Sequence, residues 1–263
     1  MLESNEIQLY RNVYISVDGV DGAGKTTCIE LLKKSFEGMG FEVETISEFN
    51  GTALGKELKK LFLGDAELPG ESKLNGLVEM LLVFAARAQS FLENKDKFFI
   101  TPATGGKIFL LDRFYASTAV YQVMGKDVPS HLMNLLRSYT TGMWDVDYSI
   151  FIDCDAVSAA KRIQIRKHLA AGGSLQDDIP PMSQEEQNLL FANTLQFKTY
   201  FKSQGTKTLT INNSENQVLT HEVATQYAQS IIDLFSFFGL AGEPMQAAPT
   251  TEAVEALTET VQS

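Results

Sequence analysis

Cysteine is nearly absent: Cys28 and Cys154 are the only two among 263 residues. Two thiols cannot build a disulfide framework or a four-cysteine zinc site, so the expected location is a reducing cytoplasm. Long apolar runs are missing too, and nothing approaches the roughly 18 consecutive apolar residues of a membrane-spanning helix. The opening Met1-Leu2-Glu3-Ser4-Asn5-Glu6 lacks the basic region and apolar core of a secretory signal. Positive charge is scarce: 22 Lys and Arg against 33 Asp and Glu leave a net charge of −11. Proteins that live on duplex phosphates carry basic surfaces, so general nucleic-acid binding is not expected. A small phosphate compound stays open, because a few local donors decide that. The three histidines, His131, His168 and His221, are scattered and read as surface or packing residues.

What is present is an alternation of short β-prone runs and helical patterns. Residues 12–18, 42–46, 107–111, 147–153 and 208–211 read as five strands. Helical periodicity follows the first, with Ile29, Leu32 and Phe36 on one face. It returns at about 52–63, 73–92, 115–124, 128–141, 156–167, 183–203 and 218–237. Ser183 with Glu186 forms a capping-box pattern, and Asp153 and Asp155 read as a strand-end and helix-cap pair. This order predicts an α/β fold: a five-stranded parallel sheet flanked by helices on both faces. Residues 171–181 show no periodicity and read as a mobile loop, part of a lid at about 162–182. The body is expected to span 1–240. Residues 241–263, with Glu243, Glu252, Glu255 and Glu259 and no Lys or Arg, read as a disordered acidic tail.

Gly19-Val20-Asp21-Gly22-Ala23-Gly24-Lys25-Thr26 fits G-x-x-x-x-G-K-[ST], with a strand before it and a helix after. Glycines let consecutive backbone N–H groups turn inward toward phosphate oxygens, and the helix N-terminus adds its positive dipole end. Gly19, Asp21, Gly22, Ala23, Gly24, Lys25, Thr26 and Thr27 are therefore the candidate ATP-binding residues. Lys25 would bridge the β- and γ-phosphates, and the Thr26 hydroxyl would ligate Mg²⁺. Asp112 closes the third strand, where ligands of such sheets bind, and could hold the same Mg²⁺ through water. Arg113 beside it could clamp phosphate oxygens with its planar fork.

Three further segments sharpen this. Asp112-Arg113-Phe114-Tyr115-Ala116-Ser117-Thr118-Ala119-Val120-Tyr121-Gln122, the cradle with Thr27, and Phe84-Ala85-Ala86-Arg87 occur in the order found in one family. The chain resembles the thymidylate kinases, P-loop nucleoside monophosphate kinases, from about residue 12 to 237. That resemblance implies transfer of the ATP γ-phosphoryl to dTMP, or to a related or modified deoxypyrimidine monophosphate, and is compatible with a homodimer through the 73–92 helix. It implies that Arg87 and Arg113 hold the acceptor phosphate, Phe84 stacks on the base, and Asp21 accepts from the sugar 3′-hydroxyl. Ser117 and Thr118 would face the pyrimidine edge, and Tyr121 would crowd a 2′-hydroxyl. Two departures border the acceptor pocket. Ser47-Glu48-Phe49-Asn50-Gly51-Thr52 stands where the family usually has Arg-Glu-Pro-Gly-Gly-Thr, and Phe84 precedes Arg87 by three residues rather than four.

Some family members carry a catalytic arginine inside the phosphate loop; here that position is Gly22. The other arrangement puts arginines on the lid, which points to Arg166, with Arg162 one turn before it on the same helix face. Lys25, Arg113 and Arg166 are thus the candidate catalytic residues. Two other readings stand beside this one. A deoxynucleoside kinase would need a carboxylate base, for which Glu48 is placed. A P-loop ATPase switch, or a nucleic-acid-associated protein, would need neither acceptor segment nor acidic charge.

Overall fold

The computed structural model describes residues 8–63, 74–99, 105–174, 179–204, 208–214, 219–237 and 240–242. Five strands, β2 (Val13–Asp18), β3 (Val43–Ser47), β4 (Ile108–Asp112), β5 (Tyr148–Asp153) and β6 (Thr208–Asn212), form a parallel sheet in the order β3-β4-β2-β5-β6. All six residues of β2 are buried, as a central parallel strand covered on both faces requires. Side chains alternate between those faces with a period of two. Val13, Ile15 and Val17 join the core that holds Leu32 and Phe36 of α1 (Lys25–Gly38) and Ile231 and Phe235 of α8 (His221–Phe237). Tyr14 joins the opposite core, with Met80 and Phe84 of α3 (Gly76–Phe99) and Phe109 of β4. The remaining helices are α2 (Ala53–Leu63), α4 (Tyr115–Thr118), α5 (Ser130–Thr141), α6 (Ala156–Ala170) and α7 (Gln184–Ser203).

Because β2 lies between β4 and β5, the connection leaving β4 crosses over it. The carboxyl ends of these strands therefore border one crevice, the place where such sheets bind ligands. The capping box forms: the Ser183 hydroxyl accepts from Glu186 N, and the Glu186 carboxylate accepts from Ser183 N at 3.1 Å. It stabilises the start of α7 by about 1 kcal/mol. Asp155 caps α6, accepting from Ser158 N at 2.8 Å. Both cysteines are buried. Among the described residues no helix is long and apolar enough to cross a membrane.

Two details depart from expectation. The helix expected over 115–124 is one α-turn, Tyr115–Thr118, that widens into a π-helical segment at Ala119–Met124. Periodicity over so few residues does not separate the two. The first two residues of the expected tail are ordered into the body. Ala241 and Gly242 form a short strand, β7, antiparallel to β1 (Gln8–Leu9), and Ala241 is buried in the core. A two-residue strand is specified by its partner rather than by local pattern, which is why the sequence hides it. Residues 243–263, and 175–178 of the expected loop, lie outside the described residues.

Candidate active site

β2 delivers the glycine-rich segment to the crevice, and α1 starts at Lys25. Gly22 and Gly24 have φ of +76° and +94°, in the left-handed region that glycine enters freely. A Cβ on Gly22 would lie 2.3 Å from the carbonyl oxygen of Ala159 on α6, so the loop also needs glycine for space. Ala23 is buried, whereas Asp21, Thr26 and Thr27 are exposed around the mouth. Lys25 folds back over the loop, its Nζ donating to Val20 O at 2.8 Å. Burial, reinforced by repulsion from Arg113, lowers its pKa from 10.5 to about 7 against the pull of Asp21, Asp112 and Asp18.

Arg113 follows β4 with φ of +71°, and its guanidinium crosses to the cradle. Nη1 donates to Gly19 O at 3.0 Å and to Ser117 Oγ at 3.1 Å, and Nη2 to Asp21 Oδ1 at 2.5 Å. The Tyr121 ring, in the π-helical segment, lies 5.4 Å from the guanidinium. Burial pushes the Tyr121 hydroxyl up to about 12. Although Asp21 is open to solvent on one side, desolvation by the crevice walls acts to raise its carboxyl. Arg113, with Lys25 and Arg166, outweighs it and holds that group below its ordinary value. Arg166 acts on Asp21 electrostatically from α6.

Asp112 is half-buried at the end of β4, and neither its carboxylate nor the Thr26 hydroxyl makes a hydrogen bond among the described residues. No cluster of three or more His, Cys, Asp or Glu able to hold a metal exists among those residues. This donor set suits Mg²⁺, which keeps several waters and leans on nucleotide phosphates plus one or two protein oxygens.

Phe84 and Arg87, which the resemblance assigns to the acceptor, both lie in the interior beside Glu48 and Thr118. Arg87 is 0% exposed and Phe84 1%. Arg87 Nε donates to Glu48 at 2.5 Å and Nη2 to Thr118 Oγ1 at 3.2 Å, which leaves Nη1 without a partner. The guanidinium lies 4.8 Å from the Phe84 ring, 5.0 Å from Phe114 and 4.2 Å from Tyr115. Phe84 therefore spends a face on Arg87 and offers none to a base. Burial raises the Glu48 carboxyl although Arg87 opposes it. The altered Ser47–Thr52 turn is held without the family's proline, by Phe49 against Phe62 at 5.2 Å.

Two contacts around the cradle were not legible in the motif. Arg162 donates through Nη2 to Asn213 O at 2.8 Å and reaches Gly22 O at 3.4 Å, so it ties α6 to the loop. Asn213, just after β6, donates to Ala23 O at 2.8 Å. Asp18, 0% exposed at the end of β2, accepts from Phe114 N, Ser117 N and Ser117 Oγ at 3.2, 3.1 and 2.6 Å. An acid closing a β-prone run directly before the glycine-rich segment was the available signal for Asp18.

A glycine cradle at a helix N-terminus, with its lysine and a cross-crevice arginine, defines a nucleotide-binding P-loop protein. The thymidylate kinase family model matches residues 17–223, and the chain belongs to that family of phosphotransferases. It is similar to the thymidylate kinase of Pelobacter propionicus, at 32% identity over 160 residues, 60% of this chain and 69% of that one. The thymidylate kinase of Halothermothrix orenii is 33% identical over 154 residues, 58% of this chain and 69% of that one. The solved structure of thymidylate kinase from Ehrlichia chaffeensis shares the fold, with a TM-score of 0.58 at 18% identity over 85% of this chain and 99% of that one.

Proposed function

We propose that the protein transfers the γ-phosphoryl of ATP to dTMP, giving dTDP. The observation that carries this is Arg113, which spans from the end of β4 to the cradle and contacts Gly19 O and Asp21. One guanidinium is thus shared by the donor loop and the acceptor turn. In this reading the loop N–H groups and Lys25 hold the triphosphate. Thr26 and Asp112, with water, would hold Mg²⁺, which would supply charge neutralisation at the phosphates. The acceptor phosphate competes with Asp21 for Arg113. Asp21 is then released to accept from the sugar 3′-hydroxyl, and its place on the guanidinium passes to the dianion. No base is needed, because the attacking group is already an anionic oxygen. Ser117, Thr118 and Tyr121 line the acceptor side, with Tyr121 crowding any 2′-hydroxyl. Arg166 supplies transition-state charge from the lid at 162–182, since Gly22 cannot.

Glu48 is committed to Arg87, which argues against its service as base in a nucleoside kinase. The absence of the usual arginine at Ser47 and the burial of Phe84 leave a related or modified deoxypyrimidine monophosphate as the alternative acceptor. A homodimer through α3 is supported by the exposed side chains of Leu77, Leu81 and Leu92 on that helix. The cytoplasm remains the proposed location. ADP release measured with ATP alone, then with thymidine, dTMP, dUMP, dCMP and UMP, tests the reading. Turnover that requires a deoxypyrimidine monophosphate supports it; release indifferent to acceptor overturns it.

A further inference from the structure

Arg113 can span the crevice only because its backbone is held in a left-handed turn, at φ +71°, that a non-glycine residue adopts when its surroundings over-determine it. The restraints come from the end of β2. The Arg113 amide donates to Val17 O at 3.1 Å, continuing the sheet by one bond. The next amide, Phe114 N, donates to Asp18 Oδ1, and so does Ser117 N one turn later. The two-residue period of β2 turns Asp18 to the side of Tyr14, away from α1.

The side chain of Ser117 adds a second link. Its hydroxyl has one proton, and a guanidinium N–H can only donate, so Ser117 Oγ accepts from Arg113. The 2.6 Å bond to Asp18 therefore takes that proton and leaves a Ser117 lone pair for Arg113 Nη1 at 3.1 Å. A fully buried carboxylate costs stability unless its bonds return it, and Oδ2 has no partner among the described residues. A residue selected for packing alone would not be charged here.

We propose that Asp18 is a positioning residue for phosphoryl acceptance. It holds the 113–117 turn and orients Ser117, and through both it aims the Arg113 guanidinium. Because Asp18 directly precedes Gly19, the donor cradle and the acceptor clamp are set by one strand end.

This inference rests on the phosphotransfer reading, and the test separates the two. In Asp18→Ala, kcat/KM for dTMP should fall about 10- to 100-fold, the scale of stranding buried donors. The KM for ATP should stay within about twofold. Asp18→Asn, whose amide oxygen can still accept, should lose about fivefold or less, again on the acceptor side. Adding Asp18→Ala to Arg113→Ala should cost little more than Arg113→Ala alone, because the two act as a unit. Equal losses for ATP and dTMP, additive losses, or parental kinetics in folded Asp18→Ala overturn the proposal. If Asp18→Ala does not fold, Asp18→Asn decides by the same split. Hydrogen exchange of the free protein is independent of activity. Faster exchange at Phe114 and Ser117, with α1 unchanged, upholds the clamp, and unchanged exchange there rejects it. An inactive parent would sink the phosphotransfer reading and leave the clamp to that arm.

Discussion

Replacing Gly22 by alanine adds one methyl group at the point where the phosphate loop meets α6. Two costs follow from the structure. At φ +76° an L-residue loses about 1 kcal/mol relative to glycine. The new Cβ would also stand 2.3 Å from Ala159 O and 3.0 Å from Ile163 Cγ1, where Cβ contacts under 3.0 Å essentially never occur. The obstacle is backbone, so α6 must retreat by several tenths of an ångström, and overpacking of this kind costs about 1–3 kcal/mol. The sum is about 2–4 kcal/mol, or a fall in Tm of about 5–15 °C for a chain of this size. Because α6 carries Arg162 and Arg166, kcat should drop as well. Thermal unfolding by circular dichroism, alongside coupled-assay kinetics, measures both. Gly38→Ala is the control. Its Cβ meets nothing within 4 Å, so it should leave Tm unchanged or raise it slightly. A Gly22→Ala protein with parental Tm and kcat would refute the argument that the loop and α6 are in forced contact.

Lys25 gives a pH signature. Its native pKa of about 7 lies below the ordinary value, so between about pH 7 and 10.5 the unfolded chain binds more protons and this residue makes stability rise with pH. A bound triphosphate should restore the charge, with uptake of about one proton per ATP at pH 8, readable by calorimetry in buffers of different ionisation enthalpy. Lys25→Ala should abolish both that uptake and turnover. Arg166→Ala should lower kcat about 10²- to 10³-fold with little change in either KM or Tm. Arg162→Ala should instead lower Tm, because its guanidinium binds Asn213 O and the loop carbonyls. Similar profiles for the two variants would overturn that division. Steady-state kcat/KM should favour dTMP over UMP, and Tyr121→Ala should narrow the gap; equal parental values for the two acceptors would remove Tyr121 from that role.

Local chemistry set a large part of this protein. The spacing Gly19 to Thr26 requires a strand before and a helix after, and short β-prone runs located every strand of the main sheet. Those features are short in range: a left-handed glycine, a capping serine or an amphipathic turn acts through neighbours in sequence. What the tertiary structure alone decided lies between distant segments. That Arg87 meets Glu48 and Thr118 depends on how α3 is rotated against the end of β3 and α4, which no local pattern on α3 fixes. The pairing of β1 with β7 joins residues 8–9 to 241–242, too short a pattern to be seen without its partner. Asp18 looks like the polar end of a strand until the fold brings Phe114 and Ser117 to it, because hydrogen bonds to a buried carboxylate are satisfied across the chain, not along it.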